Sequence, residues 1–134
     1  MLANFGIGGY YETGVQLLRM IFSGVFDRHP GLQVIVGHWG ELVLFYLEHT
    51  AVMQAMGLRL DRLLTDYFRQ NVWGTGSGLY SECYLRWSAE VVGTDRIIYS
   101  TDYPFRDTGG GTARAFLKNA PLGEADKAAI GSGN

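Results

Sequence analysis

The chain lacks the features that mark disulfide-bonded, membrane-spanning and nucleic-acid-binding proteins. Its single cysteine, Cys83, excludes an internal disulfide and suits a reducing compartment. The longest fully apolar stretch, Leu42–Leu47, is far shorter than the roughly 20 residues that span a bilayer. The net charge is only −2, and lysine and arginine are scattered along the chain, so no basic face for nucleic acid or membrane is indicated. We therefore expect a cytoplasmic protein without a signal peptide, in which Cys83 is a buried small residue of a helix.

Helix-like and strand-like patterns alternate along the 134 residues. Apolar residues at three- and four-residue spacing predict a first helix, Glu12–Arg28, whose apolar stripe is Val15, Leu18, Phe22 and Val25. The other predicted helices are Glu41–Met56, Ser77–Val92 (with Cys83, Trp87 and Val91 on one face), Thr112–Asn119 and Glu124–Ile130. The predicted strands are Leu32–Val36, Asn71–Gly74 and Arg96–Tyr99, and Thr108–Gly111 is predicted to be a flexible connector.

The alternation of strands and helices predicts an α/β fold with a parallel sheet and right-handed crossovers. Leu32–Val36 is apolar almost throughout, which favours a strand covered on both faces, and Glu41–Met56 is apolar enough to be largely buried. Three strands leave an unpaired edge on each side of the sheet. We therefore interpret the chain as a piece of a larger structure.

Two polar motifs follow the predicted strands. His38 comes directly after the first strand, with Glu41 three residues later, and Asp102 follows the third strand. Chemistry in α/β proteins collects at the carboxyl ends of parallel strands, so His38 and Asp102 are the candidate catalytic residues. Histidine titrates near neutral pH and can act as a general acid or base, and Glu41 can hydrogen-bond its imidazole. Either motif alone is commonly structural, but the two together favour function.

A third motif resembles a nucleophile elbow without being one. Gly74–Gly78 reads Gly-Thr-Gly-Ser-Gly, whereas the elbow is Gly-x-Ser-x-Gly. Its central position is Gly76, so no serine occupies the place of the nucleophile.

The order and spacing of several motifs resemble a known family. The motifs are Ser23–Leu32 leading into Gly37–Glu41, then Asp66–Phe68, Asn71–Trp73 and Asp95–Phe105. They resemble the carboxyl-terminal half of the amidohydrolase-related branch of the amidohydrolase superfamily. That branch includes non-oxidative decarboxylases such as those of γ-resorcylate, 5-carboxyvanillate and aminocarboxymuconate semialdehyde.

The resemblance implies a (β/α)8 barrel that holds one divalent metal ion, zinc or manganese. By this likeness residues 1–134 are the carboxyl-terminal portion of one barrel domain, about its last three βα units. The three strands would be the sixth, seventh and eighth of the barrel. His38 would lie beside the metal-bound water or substrate, and Asp102 would be a metal ligand. The family's other ligands, an acidic or histidine pair on the first strand and a histidine near the fifth, do not occur in this sequence.

The resemblance implies a fragment of a metal-dependent carboxy-lyase acting on a small, aromatic carboxylic acid, and a homo-oligomer when full-length. A metal-dependent hydrolase of an amide or lactone would use the same residues, so this alternative stays open. A second alternative is a non-catalytic half-barrel remnant or interaction module. We expect the isolated chain to be inactive, because it supplies one metal ligand where sites need about three or four.

Overall fold

The computed structural model describes residues 1–106 and 110–134, which form an α/β fold. Its strands are β1 (Val34–Val36), β2 (Val72–Thr75) and β3 (Ile97–Ile98). Its α-helices are α1 (Gly8–Phe22), α2 (Val25–Arg28), α3 (His38–Glu41), α4 (Leu47–Ala55), α5 (Leu64–Gln70), α6 (Glu82–Val92), α7 (Thr112–Asn119) and α8 (Glu124–Ala128). Short 3-10 turns lie at Val43–Tyr46 and Thr94–Arg96, and π-turns at Leu2–Gly6 and Ala129–Gly133. Within the described ranges, no helix combines the length and apolarity needed to cross a bilayer.

The strands of the described chain form a parallel sheet in the order β1-β2-β3. Val34 pairs with Val72, and Gly74 pairs with Ile97, so each strand lies beside its neighbour in the chain. Asn71, which is fully buried, fixes the start of β2 by donating from Nδ2 to the carbonyls of Pro30 and Leu32. The predicted parallel α/β sheet is confirmed, and its three carboxyl ends meet at one edge.

Helices cover one face of this sheet. Val36 and Val72 lie in a core with apolar residues of the surrounding helices, namely Leu17, Ile21, Phe26, Val43, Leu44, Leu47, Leu64, Tyr67, Phe68 and Val92. Neighbouring strand residues point to opposite faces, and Ile35, between Val34 and Val36, is 64% exposed. The expectation that the first strand is covered on both faces was therefore wrong for the described chain.

A second apolar cluster lies beyond β3. It consists of Trp39, Leu85, Ile97, Ala120 and Ile130, so it joins the turn after β1 to α6 and to the last helices. Trp39 is buried and donates from Nε1 to the carbonyl of Leu79. The cluster holds Trp39, the residue that directly follows His38.

The first predicted helix is two helices. The chain turns at Gly24, whose φ of +72° is a conformation that glycine adopts easily, and α2 starts one residue later. The helix α1 begins at Gly8 rather than Glu12, and it buries Gly14, Leu17 and Ile21. The predicted stripe of Val15, Leu18, Phe22 and Val25 is only partly buried, so its position was displaced by one residue.

The second predicted helix, Glu41–Met56, is also interrupted. Leu42 has a left-handed φ of +68°, which no α-helix accommodates, and a 3-10 turn separates it from α4. Only Val43, Leu44 and Leu47 of this region are buried apolar residues, whereas Phe45, Tyr46 and Met56 are exposed. The prediction of a largely buried helix was therefore wrong.

Of the remaining predicted helices, some have the predicted bounds and others do not. The helix α7 has the predicted bounds Thr112–Asn119, and α8 gives way to a π-turn at Ala129. The helix α6 begins at Glu82 instead of Ser77, because the Ser81 side chain caps it. Cys83 is exposed, which corrects its expected burial. Of the predicted connector Thr108–Gly111, the first two residues lie outside the described residues.

Candidate active site

The turn after β1 brings His38 and Glu41 into contact. His38, Trp39, Glu41 and Leu42 all have positive φ values, between +44° and +68°. This tight left-handed path folds the chain back, and His38 Nδ1 lies 2.8 Å from Glu41 Oε1. A carboxylate can only accept, so Nδ1 carries the proton and Nε2 is the nitrogen left for chemistry. The contact suggested by the sequence is present.

The electrostatics of this pair favour a protonated imidazole. Glu41 is buried, with a relative exposure of 6%, while His38 is partly buried. The hydrogen bond that His38 donates to Glu41 is the main cause that raises the pKa of His38 above 6.5, and desolvation of the ring opposes it. The charges of Glu41 and Asp102 raise the pKa further, and that of Arg106 lowers it. His38 is therefore suited to hold a proton near neutral pH.

Asp102 follows β3 and lines the same cavity. Its φ is +63°, and its carbonyl accepts hydrogen bonds from the amides of Phe105 and Arg106, at 2.8 and 3.1 Å. The cavity has a volume of about 530 Å³, and His38, Glu41 and Asp102 all line it. The structure thus brings the three predicted site residues together at the carboxyl edge of the sheet.

Backbone strain is concentrated at this edge. Six non-glycine residues of the described chain have positive φ, and all lie in the segments that follow the three strands: His38, Trp39, Glu41, Leu42, Ser77 and Asp102. Such conformations are uncommon for residues with a Cβ, and they cluster at functional sites, where surrounding structure holds them. The pattern is concentrated at the carboxyl edge, where the three predicted site residues lie.

The amino-terminal segment forms the opposite wall of the cavity. Tyr10, at the start of α1, packs its ring against His38 with a centroid distance of 4.5 Å and an interplanar angle of 55°. Asn4, Phe5 and Thr13 also line this wall. Sequence reasoning missed Tyr10, because the helix was predicted to begin at Glu12. An aromatic residue two positions before Glu12, directly after Gly8-Gly9, was the signal that could have found it.

The described residues do not by themselves fit a metal ion. Within residues 1–106 and 110–134, no group of three or more His, Cys, Asp and Glu side chains is placed to hold one. Asp102 offers a carboxylate at the cavity, and Glu41 Oε2 is buried without a hydrogen-bond partner among the described residues. Glu41 Oε1 is already bound to His38, so Glu41 serves the imidazole. His29 and His49 are exposed and do not line the cavity.

The fold and this site define an α/β domain with a polar cavity at the carboxyl edge of its parallel sheet, and comparison with known proteins identifies its family. The profile of the amidohydrolase family matches residues 5–134, so the chain belongs to that family. The chain is 34% identical to gamma-resorcylate decarboxylase from Polaromonas sp. over 128 residues, which are 92% of this chain and 39% of that relative. The resemblance found in the sequence is confirmed.

Solved structures agree with the sequence relatives. The 5-carboxyvanillate decarboxylase from Sphingomonas paucimobilis superposes with a TM-score of 0.88 at 33% identity, covering 97% of this chain and 42% of that one. A dihydroxybenzoic acid decarboxylase from Polaromonas sp., solved with bound manganese and 2-nitroresorcinol, gives a TM-score of 0.86 at 32% identity, covering 96% and 40%. The chain therefore spans about two fifths of the length of these relatives. Its α/β fold is consistent with part of a barrel.

Proposed function

We propose that this chain is the carboxyl-terminal part of a carboxy-lyase that releases carbon dioxide from a small aromatic carboxylic acid. One observation supports this most: the His38–Glu41 pair and Asp102 line one cavity at the carboxyl edge of the sheet. The chain that carries them is 34% identical to a gamma-resorcylate decarboxylase. By this proposal residues 1–134 are one portion of a single barrel domain, and β1, β2 and β3 are its sixth, seventh and eighth strands.

His38 is the proton donor in this proposal. Non-oxidative decarboxylation breaks the bond between the ring carbon and the carboxylate, and the bonding electrons stay on the ring carbon. That carbon takes a proton, and carbon dioxide leaves. Glu41 holds Nδ1, so protonated His38 donates from Nε2, and its raised pKa favours the donor form. Glu41 positions the ring and balances its charge.

Asp102 has a different proposed role. Its carboxylate is an oxygen ligand of the kind that divalent cations take, and a related decarboxylase was solved with manganese. We propose that Asp102 contributes one ligand to such an ion, zinc or manganese, in a longer protein that supplies the others. The proposed substrate is a hydroxylated benzoate, as in the relative solved with 2,6-dihydroxybenzoate. A homo-oligomeric assembly of that longer protein is also a proposal.

A hydrolase is the second candidate, favoured by the match to the amidohydrolase profile over residues 5–134. In that case unprotonated His38 would accept a proton from the water that attacks an amide or lactone. The two candidates need opposite protonation states of His38, and its raised pKa favours the donor state. A half-barrel that has lost catalysis is the third reading, since the described residues do not complete a metal site.

A chimeric enzyme tests the function directly. The 128 matched residues of the Polaromonas gamma-resorcylate decarboxylase are replaced by those of this chain, and carbon dioxide release from 2,6-dihydroxybenzoate is measured. We expect release by the folded, manganese-loaded chimera, and no hydrolysis of a matched aryl amide or lactone. The unmodified relative is the positive control. A folded chimera with full metal content that hydrolyses the amide or lactone, or that is inert, would contradict the proposal.

A further inference from the structure

The segment after β2 contacts the segment that carries Asp102. We call residues 76–80 the β2 loop and residues 100–106 the β3 loop. The Ser77 amide donates to Ser100 Oγ at 3.0 Å, and the Tyr80 hydroxyl donates to the Thr101 carbonyl at 3.4 Å. These contacts join the β2 loop to the two residues that directly precede Asp102.

Gly78 adds a close approach to Asp102 itself. A Cβ at this position would lie 3.0 Å from Asp102 Cβ and 2.7 Å from Arg106 Cγ. Its φ is +77°, so both the backbone conformation and the space require glycine. The Gly-Thr-Gly-Ser-Gly motif, which lacks a nucleophile, thus forms a surface on which the β3 loop rests.

Ser77 also faces the other half of the site. A Cβ on Gly37 would lie 3.0 Å from Ser77 Oγ and 3.1 Å from Glu41 Oε1, so the serine and the glutamate approach the same open side of Gly37. Ser77 Oγ is hydrogen-bonded to Thr75 Oγ1 at 2.7 Å, and its own φ is +42°. The Ser77 hydroxyl is therefore hydrogen-bonded to the edge of the sheet. It lies between the His38–Glu41 turn and the β3 loop, which carries Asp102.

We propose that Ser77 and Ser100 are positioning residues, and that their hydrogen bond fixes Asp102 relative to the His38–Glu41 pair. Ser77 holds the β2 loop through Thr75, its amide holds Ser100, and Ser100 holds the β3 loop two residues before Asp102. Neither serine lines the cavity that His38, Glu41 and Asp102 share. The importance of Asp102 rests on the proposed function, but the mechanical link between the loops does not.

Amide hydrogen exchange on the 134-residue chain tests this link without requiring activity. The reporters are the amides of Phe105 and Arg106, which bond the Asp102 carbonyl, and the amide of Ser77. Ser100→Ala removes the acceptor, and we expect exchange at all three reporters to speed up roughly 5- to 10-fold, the loss expected for one hydrogen bond. Ser100→Thr keeps an Oγ acceptor and should restore slow exchange.

Two further variants make the result specific. Ser77→Ala keeps the amide that bonds Ser100 but loses the hydroxyl, which contacts Thr75 Oγ1 at 2.7 Å and Ser100 Oγ at 3.5 Å. Because the stronger amide bond remains, a smaller acceleration is expected in the same reporters. Ser23→Ala is the matched control, because Ser23 is exposed and its hydroxyl bonds only the Met20 carbonyl among the described residues. It should change none of the reporters.

Two outcomes would overturn the proposal. Unchanged exchange at Phe105 and Arg106 in Ser100→Ala would show that the β3 loop does not depend on the serine bond. Equal acceleration at Ile21, in the buried face of α1, would make Ser100 a residue of general stability instead of a link between loops. A chimera that fails to decarboxylate while the exchange result holds would contradict the function and leave the positioning role standing.

Discussion

Glu41 accepts a hydrogen bond from His38 Nδ1 across 2.8 Å from a position that is almost fully buried. This geometry fixes which nitrogen of the imidazole is free and stabilises its protonated form. The neighbouring Tyr10 ring covers one side of the imidazole. Held on two sides, the ring presents Nε2 as its reactive atom, and the chemistry we propose depends on that orientation.

The first prediction concerns the titration of His38. Nuclear magnetic resonance should give His38 a pKa above 6.5, and Glu41→Gln should lower it towards 6.5, because the main cause of the shift is removed. Glu48→Gln, at an exposed site in α4, is the control and should leave the value unchanged. An unshifted pKa in the parent chain would mean that the Glu41 contact does not form in solution.

The same contact predicts a direction for stability against pH. The folded pKa of His38 is raised, so the stabilisation is fully present below about pH 6.5 and is lost as the pH rises through the folded pKa. Denaturant unfolding between about pH 6 and about pH 8 should show this loss in the parent chain. His38→Asn should flatten the profile, whereas His49→Asn, at an exposed position, should not.

The packing of α1 on the site turn gives the second prediction. A Cβ on Gly14 would lie 2.5 Å from the Glu41 carbonyl oxygen and 2.9 Å from Val43 Cγ2. Gly14→Ala must therefore push α1 away from the turn, and we expect a loss of about 1–3 kcal/mol in the free energy of unfolding. Gly31→Ala is the matched control, because nothing lies within 4 Å of its Cβ position. Equal stability of the two variants would show that α1 does not pack on the turn as described.

The sequence predicted the bounds of elements correctly where glycine or proline residues lie close to both ends. The helix α7 has its predicted bounds because Gly111 precedes it and Pro121 follows it closely. The parallel sheet was predicted from short β-branched runs separated by helical patterns. The sequence also suggested the His38–Glu41 contact, because Glu41 follows His38 by three residues and its carboxylate can reach the imidazole.

The other features of the fold and of the site depend on tertiary packing, which the local sequence pattern does not predict. Leu42 adopts φ of +68° in a run of apolar residues that is typical of a helix, and only tertiary contacts impose that conformation. The apolar run that contains Ile35 predicts a strand buried on both faces, yet the Ile35 side chain is 64% exposed. Tyr10, Ser77 and Ser100 join the site through the folding of distant segments. The roles assigned to His38, Glu41 and Asp102 stay predictions, as does the cytoplasmic location.

A third prediction concerns metal binding by the isolated chain. Asp102 is the one ligand we assign, and stable sites take about three or four protein ligands. We expect no manganese or zinc to remain after dialysis, as measured by elemental analysis, and no difference between the parent chain and Asp102→Asn. A stoichiometric metal that is retained by the parent chain and lost in Asp102→Asn would show that the ligand set is complete without a longer protein.

The fourth prediction is self-association of the isolated chain. Ile35 on the uncovered sheet face is 64% exposed, and Phe45 and Tyr46 after the site turn are 51% and 62% exposed. Exposed apolar surface of this kind drives association. Sedimentation at several concentrations should show concentration-dependent oligomers, and Ile35→Thr should weaken them. Leu63→Gln, at an equally exposed position outside the sheet, is the control, and a monomer at every concentration would contradict the prediction of self-association.

We propose that His38 donates a proton and that Asp102 binds the metal. These separate roles are tested most directly in the chimera, by measuring its metal content and its decarboxylation rate together. We predict that His38→Asn keeps the manganese and lowers the rate roughly 10²–10⁴-fold, the scale of a lost general acid. Asp102→Asn should lose the metal and the activity, and His49→Asn should change neither. Loss of the metal in His38→Asn, or full activity in either site variant, would contradict the proposed roles.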